Sequence, residues 1–307
     1  MSAREAWPDA PLDTDTAAAV IRDSFPSVDS SDVRYIGSGT LYDVFLTRDG
    51  WAFRFPRWQW SGDLFQTEAR AHQFVAQILP AQVRLPRVEL LASPAKGFPY
   101  PVAGHRYISG VGADEVDEAL LPTLAREIVM LLTTLHSTPA PEAGAAGIHE
   151  LDMTEAGRQE WYNHGIAAAA ELRGRDPVTD RAVAWVSARP PLPPTDGSLH
   201  LIHGGLEARH VLVDPATGFL VGVIDWTDAQ LGDAARDFVF LVTWKGWRFA
   251  EEVLRMYPRA LDKEFRARLR HMAQMLSVIE LAYTHERGGN TRHLVRAVHN
   301  AFASSEG

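Results

Sequence analysis

Alternation of apolar and polar positions in the first third of the chain predicts a small antiparallel β-sheet. Five runs have strand-like composition or spacing: 33–36, 42–47, 51–55, 88–91 and 100–108. A Gly-rich turn separates the first two runs, and Asp49-Gly50, a strong hairpin signal, separates the next two. One helix is expected over 64–79, between the third and fourth strands. The pattern therefore predicts a lobe of five strands and one helix.

A second pattern, with apolar residues at helical spacing, begins after the acidic segment ADEVDE. Leucine and isoleucine recur every three or four positions over 120–136, which predicts a long buried helix. The rest of the chain is expected to be mainly helical. The expected exceptions are a stiff Pro-rich loop and three short strands, at 188–197, 199–203, 210–213 and 219–224.

This order of parts predicts an α+β, two-lobed, protein-kinase-like fold, with a small antiparallel N-terminal lobe and a larger helical one. We place the nucleotide-binding lobe at 1–108 and the catalytic and acceptor-binding lobe at 109–307. The length of 307 residues and the hydrophobic content of 46% suffice for a sizeable core.

Composition excludes several classes of protein. The chain has no Cys, so disulfides and thiolate metal sites are excluded, and nothing indicates an oxidising compartment. The N-terminal segment MSAREAWPDAPLDTDT lacks the apolar core of a signal peptide, and the pattern shows no run that approaches a membrane span in length. We therefore expect a cytoplasmic protein without a membrane partner. A formal net charge of -9 works against a nucleic-acid partner and favours a small cationic ligand.

The Gly37-Ser38-Gly39 segment lies between the first two strands. Glycine backbone can approach a triphosphate closely, with its N–H groups facing the phosphate oxygens. The alternative is an ordinary tight turn. The segment is therefore a candidate phosphate-binding loop only in combination with other residues.

Arg54 is the candidate phosphate-binding cation. It is flanked by Phe53 and Phe55, so its side chain faces away from both and toward a cleft. Glu68, on the following helix, is expected to pair with Arg54 while Arg54 contacts the α and β phosphates. The alternative is an exposed surface pair worth about 0–1 kcal/mol, with Arg57 as the rival cation.

Asp225 ends the apolar run 220–224 and is the strongest candidate metal ligand. Mg²⁺ prefers carboxylate oxygen, and an acid at a strand end is well placed to hold an ion that bridges nucleotide phosphates. A turn cap is the alternative. His210 is a candidate second ligand, but imidazole binds Mg²⁺ less well than an amide oxygen does, so it could instead orient phosphate or water, or be structural.

The segment HGGLEARHVLVD and the later GVIDWTDAQLGDAARDF resemble motifs of the aminoglycoside phosphotransferase family. They are similar to its His-Gly-Asp-Leu loop, its Ile-Asp-Trp metal-binding strand end and its Asp-x-x-x-Asp helix start, within a match of about 35–237. His210 in place of Asn and the Trp-Thr pair after Asp225 make the chain look most like the macrolide 2′-phosphotransferases.

This resemblance implies transfer of a phosphoryl group from ATP or GTP, with Mg²⁺, to a hydroxyl of a small cationic antibiotic, a macrolide or an aminoglycoside. It also implies that Asp237 hydrogen-bonds the loop backbone near His203, that Tyr107 and Ile108 contribute to nucleotide binding, and that the protein is a monomer.

Gly205 stands where the family carries the aspartate that accepts the proton of the acceptor hydroxyl. Three explanations stay open: a slow but active enzyme, a nucleotide-binding pseudo-enzyme, or an Asp-to-Gly variant of an active transferase. A kinase for a small metabolite, choline-like or sugar, is a further alternative. Glu207 would repel the γ-phosphate, Arg209 could contact it, and His203 is expected to be a scaffold for the turn rather than a base. If Gly205 is a simple loss, restoring aspartate should raise transfer by roughly 100-fold.

Overall fold

The β-rich runs of the first third form one antiparallel sheet of five strands. These are β1 (Val33–Ser38), β2 (Tyr42–Thr47), β3 (Trp51–Pro56), β4 (Leu90–Ala92) and β5 (Val102–Arg106). Their order in the sheet is β1-β2-β3-β5-β4. The predicted helix, α2 (Leu64–Ile78), lies between β3 and β4. This computed structural model describes residues 12–39, 41–94, 97–149 and 155–304, without the side chains of 155–161. Most of the N-terminal segment considered above therefore lies outside the described residues.

The central strand β3 is buried on both faces of the sheet, because a helix covers each side. Phe53 and Phe55 pack with Phe45 against a first helix, α1 (Thr14–Ser24), which presents Ile21 to them. Burying each phenylalanine stabilises the fold by roughly 1.5–3 kcal/mol. The alternate positions of β3, including that of Arg54, face α2 instead.

The helix α1 was not predicted from the sequence. Its start is fixed by Asp13, whose carboxylate accepts a hydrogen bond from the backbone N–H of Thr16 at 2.8 Å. Ala17, Val20 and Ile21 recur at helical spacing and are buried against the sheet. The polar composition around this short apolar stripe conceals the helix in the sequence.

The second lobe is mainly helical, as predicted. Its helices are α3 (Leu121–Ser137), α4 (Ala140–Ala145), α5 (Glu155–Ala168), α6 (Pro177–Ser187), α7 (Val239–Lys245), α8 (Trp247–Met256), α9 (Phe265–Glu286) and α10 (Arg292–Phe302). The predicted helix over 120–136 corresponds to α3. Its buried residues contribute to the largest hydrophobic core, which also contains residues of α7, α8 and α9.

By length and composition, Glu118–Ser137, which comprises α3 and the turn before it, could cross a membrane. The expectation that no run approaches the length of a span is therefore wrong. The fully buried side chains of Leu124, Ile128 and Leu131 pack into the core of the second lobe. A core helix of a globular fold meets the same criteria, so this finding is weak evidence for a membrane segment.

Two small sheets bring distant loops of the second lobe together. β6 (Val111–Gly112) pairs with β8 (Val211–Val213), which pairs with β9 (Leu220–Val223), and β7 (His200–Ile202) pairs with β10 (Gln230–Gly232). Three of these strands match the predicted short strands. The other two, β6 and β10, are too short to show a periodicity. Together the two sheets place the loop after β7 beside the turn after β9.

Candidate functional site

Arg54 and Glu68 form a buried ion pair between β3 and α2. Nη1 of Arg54 donates to Oε2 of Glu68 at 2.6 Å, and both side chains are almost completely shielded from water. The predicted pairing is confirmed, and the alternative of an exposed surface pair is wrong. The rings of Tyr42 and Phe65 lie 5.2 and 5.0 Å from the guanidinium carbon and complete its surroundings.

The ion pair leaves part of the guanidinium without a partner. Among the described residues, no hydrogen bond reaches Nε or Nη2 of Arg54, although both atoms are buried. An unsatisfied buried donor costs about 1–3 kcal/mol, so these two N–H groups favour an anionic ligand with several oxygens. Arg57, the rival cation, is buried against Asp43, with Nη1 at 2.9 Å from Oδ1. Arg54 is therefore the better placed of the two cations.

The Gly37-Ser38-Gly39 segment closes the hairpin between β1 and β2. A bulge shifts the register between Tyr35 and Gly37, where glycine adopts a φ of +154°, and the N–H of Gly39 donates to the carbonyl of Tyr42. No described atom lies within 4 Å of the positions that Cβ atoms at Gly37 and Gly39 would take. Gly37 and Ser38 end β1, opposite Val44 and Asp43, and the segment stays a candidate phosphate-binding loop because its outer surface is open to a ligand.

Tyr107 and Ile108 follow β5 at the connection between the lobes. Tyr107 is exposed, and its N–H donates to the carbonyl of Gly50. Ile108 is buried against Gly222 of β9, where a Cβ would lie 2.7 Å from its Cγ2. Ile108 thus joins the first lobe to the strand that precedes Asp225.

Asp225 follows β9 in a left-handed backbone conformation, with φ 65° and ψ 60°. A residue other than glycine there is strained by roughly 1–2 kcal/mol. Its carboxylate makes no capping bond to the following turn, so the turn-cap alternative is wrong. Oδ1 accepts a hydrogen bond from the Thr227 hydroxyl, and Oδ2 lies 3.5 Å from Nε2 of His210.

The orientation of His210 is set by the loop after β7. Its Nδ1 lies 3.0 Å from the carbonyl oxygen of Gly205, and because a carbonyl can only accept, Nδ1 carries a proton. This contact directs Nε2 toward Asp225. The described residues contain no group of three or more metal-binding side chains. Two protein ligands nevertheless suit Mg²⁺ in a nucleotide site, where water and phosphate oxygens supply the other ligands.

Asp237 holds the backbone of the loop after β7. Its carboxylate accepts hydrogen bonds from the N–H groups of His203 and Gly204, each at 2.9 Å, and contacts Nε2 of His136 at 3.2 Å. This confirms the contact that the resemblance implied. Burial lowers the pKa of the completely buried His203 to about 4, and its Nε2 bonds the carbonyl of Ile224. A neutral, enclosed imidazole supports the loop, in agreement with the scaffold interpretation.

The two glycines of this loop, Gly204 and Gly205, differ in whether another residue could replace them. Gly204 has φ +79°, and a Cβ there would lie 2.2 Å from the backbone oxygen of Asp228, so only glycine fits. Gly205 does not have a positive φ. A Cβ at position 205 would instead meet Oδ2 of Asp228 at 2.8 Å. The carboxylate of Asp228, which the sequence reasoning missed, thus lies beside the place where the family carries its aspartate.

Acidic side chains predominate around this point. Asp228 is partly desolvated by the protein atoms around it, although solvent still reaches its side chain. This desolvation, and secondly the charge of Asp225, raises the pKa of Asp228. Desolvation, followed by the charge of Glu207, likewise raises the pKa of Glu280 to about 7. Arg209, a candidate phosphate ligand, pairs with Glu207 at 2.9 Å on the surface. The loop therefore borders an acidic region.

The fold and the buried Arg–Glu pair define a protein with a kinase-like architecture. Residues 32–275 match the model of the phosphotransferase enzyme family known as APH, and the chain belongs to this family. The uncharacterized protein YcbJ of Bacillus subtilis (strain 168) is 28% identical over 262 residues, which cover 81% of this chain and 82% of YcbJ.

Solved structures of antibiotic phosphotransferases share the fold. The GDP and kanamycin complex of APH(2″)-IIIa superposes with a TM-score of 0.69 at 19% identity, covering 93% of this chain and 96% of that one. The macrolide 2′-phosphotransferase MphH from Brachybacterium faecium gives a TM-score of 0.59 at 20% identity, covering 95% of this chain and all of the other. These similarities confirm the predicted two-lobed fold.

Proposed function

We propose that the protein transfers the γ-phosphoryl group of a nucleoside triphosphate to a hydroxyl of a small cationic acceptor, of the macrolide or aminoglycoside antibiotic type. The main support is that Nε and Nη2 of the buried Arg54 have no hydrogen-bond partner among the described residues. The charge of Asp225 acts on both Glu68 and Tyr42, which contact Arg54, so the cation and the candidate metal ligand lie in the same region.

The donor would be ATP or GTP with Mg²⁺. Nε and Nη2 of Arg54 would contact phosphate oxygens, and the open turn at Gly37-Ser38-Gly39 would cover the phosphates. Asp225 and His210 would hold the Mg²⁺ ion, which would supply positive charge that neutralises the phosphates. Structures similar to this chain hold GDP, ATP or ADP, which supports a nucleotide donor.

The acceptor would be a cation because the region beside the loop is acidic. The charges of Asp225 and Glu207 act on Asp228, and the charge of Glu207 also acts on Glu280. Protonated amino groups would offset this charge in a cleft where electrostatic attraction exceeds that in bulk water. A similar structure contains kanamycin, and others are macrolide 2′-phosphotransferases.

A second candidate function is nucleotide binding without transfer. It is favoured by Gly205, which supplies neither a charge nor a side-chain hydrogen bond at the expected position of the base. Both candidates require the nucleotide site, and they differ in whether any acceptor receives phosphate.

Calorimetric titration with ATP and GTP, with and without Mg²⁺, tests the nucleotide site. We expect Mg²⁺ to increase the affinity for the nucleotide. In Asp225→Ala the affinity measured with Mg²⁺ should be lower than in the parent by at least about tenfold, or about 1.4 kcal/mol. Asp214→Ala is the matched control, because Asp214 only stabilises the exposed turn after β8 and should leave affinity unchanged. Equal Mg²⁺-dependent affinity in Asp225→Ala and the parent protein would refute the metal assignment.

Detection of phosphorylated product by mass spectrometry tests the transfer itself. The acceptors should include aminoglycosides, macrolides, a choline-like amine and neutral sugars. Transfer to amine-bearing acceptors supports the proposal, and preference for neutral sugars contradicts the cationic acceptor. Tight Mg²⁺-dependent nucleotide binding without transfer to any acceptor would favour the second candidate.

A further inference from the structure

The side-chain space at Gly205 is occupied by another part of the chain. The Cβ that Gly205 lacks would lie 2.8 Å from Oδ2 of Asp228 and 3.5 Å from its Cγ. A Cβ contact of this length is too short for both groups to keep their present positions. The backbone conformation at Gly205 does not require glycine. A larger side chain at this position would therefore be opposed by the neighbouring carboxylate and not by backbone strain.

The backbone of Asp228 is fixed from both sides. Downstream, β10 pairs antiparallel with β7, with Gln230 opposite Ile202, so the chain at Asp228 runs past Gly204. Upstream, the side chain of Trp226 is completely buried and its Nε1 donates to the carbonyl of Val223 at 3.0 Å. The backbone of Asp228 is therefore held beside the loop by a strand pairing and a core residue.

The carboxylate itself is free to act on a ligand. Within the described parts of the chain, no N–H or O–H group donates a hydrogen bond to it, and Gln230 bonds only the backbone oxygen of Asp228. Asp237 differs, because backbone N–H groups occupy its oxygens and give it a structural role. Solvent reaches Asp228, and Asp225, His210 and Arg236 are the charged or titratable groups acting on it besides Glu207.

We propose that Asp228 is the catalytic carboxylate of this chain and performs, from the turn after β9, the role that Gly205 cannot. This inference rests on the proposed function. As the acceptor oxygen attacks the γ-phosphorus of the nucleoside triphosphate, its O–H bond breaks and the proton passes to Asp228. The bond between the γ-phosphorus and the bridging oxygen breaks, and the electron pair leaves with the nucleoside diphosphate. Asp228 then releases the proton to solvent.

The proposal reverses the effect expected for Gly205→Asp. Two carboxylates would compete for one space, and like charges at that distance repel. Aspartate at 205 should therefore fail to raise transfer while Asp228 is present, and should restore it only when Asp228 has lost its charge.

The test compares the parent protein with Asp228→Asn, Gly205→Asp and the double variant, using the best acceptor found in the transfer screen. We expect Asp228→Asn to lower kcat by roughly 100-fold or more, the size of a general-base contribution, with the affinity for Mg²⁺-nucleotide within about twofold of the parent. Gly205→Asp should not exceed the parent. The double variant should recover at least about tenfold over Asp228→Asn, and Asp214→Asn is the control that should change neither quantity.

A stability measurement tests the geometry without catalysis. Gly205→Asp should lower Tm by at least about 2 °C, and adding Asp228→Ala, which removes both the charge and the volume of the neighbouring side chain, should reverse most of that loss. Additive Tm changes would overturn the premise that the two side chains share one space. If Asp228→Asn does not fold, Asp228→Ala serves in its place.

The kinetic outcomes separate this proposal from the proposed function. Unchanged kcat in Asp228→Asn overturns the role of Asp228 and leaves the transferase assignment intact. A loss of Mg²⁺-nucleotide affinity as large as that of Asp225→Ala overturns it in favour of metal binding. If the double variant transfers phosphate and the parent does not, Asp228 does not serve as the base. Absence of transfer in the parent and in every variant refutes the proposed function together with this proposal.

Discussion

Replacement of Glu68 by glutamine should be among the most destabilising conservative changes in the chain. The substitution keeps the shape of the side chain and removes the charge that faces Arg54 at 2.6 Å. Glu68 is 0% and Arg54 8% exposed, so the remaining guanidinium cannot recover its hydration. Breaking a buried pair by removing one partner typically costs 3–5 kcal/mol, and glutamine retains one acceptor oxygen. We therefore expect a loss of about 3 kcal/mol in the free energy of unfolding.

The chain supplies a matched control for this prediction. Glu251 pairs with Arg266 at 3.0 Å, and these side chains are 31% and 52% exposed. Glu251→Gln makes the same chemical change at an ion pair that water can still reach, so it should cost at most about 1 kcal/mol. Urea unfolding followed by tryptophan fluorescence, without nucleotide, gives both values.

A double-mutant cycle isolates the pair itself. Arg54→Met removes the cation, so Glu68→Gln no longer leaves an unpaired buried charge on β3. The loss in free energy of unfolding caused by Glu68→Gln should therefore be smaller in the Arg54→Met background than in the parent. Equal losses for Glu68→Gln and Glu251→Gln, within about 0.5 kcal/mol, would refute the reasoning. So would a cycle without coupling.

Two further predictions concern backbone strain and pH. Gly204→Ala should cost about 1–3 kcal/mol more than Gly174→Ala, because both positions have φ near +80° but only Gly204 lies against backbone; equal losses in urea unfolding would contradict this. Burial, followed by the charge of Arg54, lowers the pKa of His105 to about 4, below its unfolded value near 6.5. Between these pH values only the unfolded state binds the proton, so acid favours unfolding. The free energy of unfolding is therefore unaffected by His105 above pH 6.5 and falls toward pH 4, by about 1 kcal/mol per pH unit near pH 5. His105→Gln should show a correspondingly shallower decline, and parallel curves would refute the assignment.

The N-terminal lobe could be predicted because its signals are local. Alternation around Arg54 identified the face of β3 that carries it, since Phe53 and Phe55 could only point to the opposite core. Helical spacing then placed Glu68 near Arg54. What the sequence did not show was the burial of this pair, because burial depends on how α2 lies against the sheet. The exposed alternative was consistent with the same pattern.

Long-range pairings explain most of what could not be predicted. The strand β10 has three residues and no readable periodicity, yet its pairing with β7 brings Asp228 to Gly204 across 24 positions of sequence. No motif spacing encodes that approach. Asp225 was found because it ends an apolar strand, whereas Asp228 lies in a short turn where aspartate is common for reasons unrelated to chemistry.

The position of Asp228 also changes how the loop after β7 can be interpreted. Comparison of sequence motifs interprets Gly205 as the loss of a base, because the motif assigns the base to one position in the sequence. The proposed reaction requires a carboxylate at a place in space, and two backbone segments border that place here. A side chain from either segment can occupy it, but the separation of 2.8 Å leaves no room for both in their present positions. Glycine at 205 is then the complement of aspartate at 228, and neither residue can be interpreted without the other.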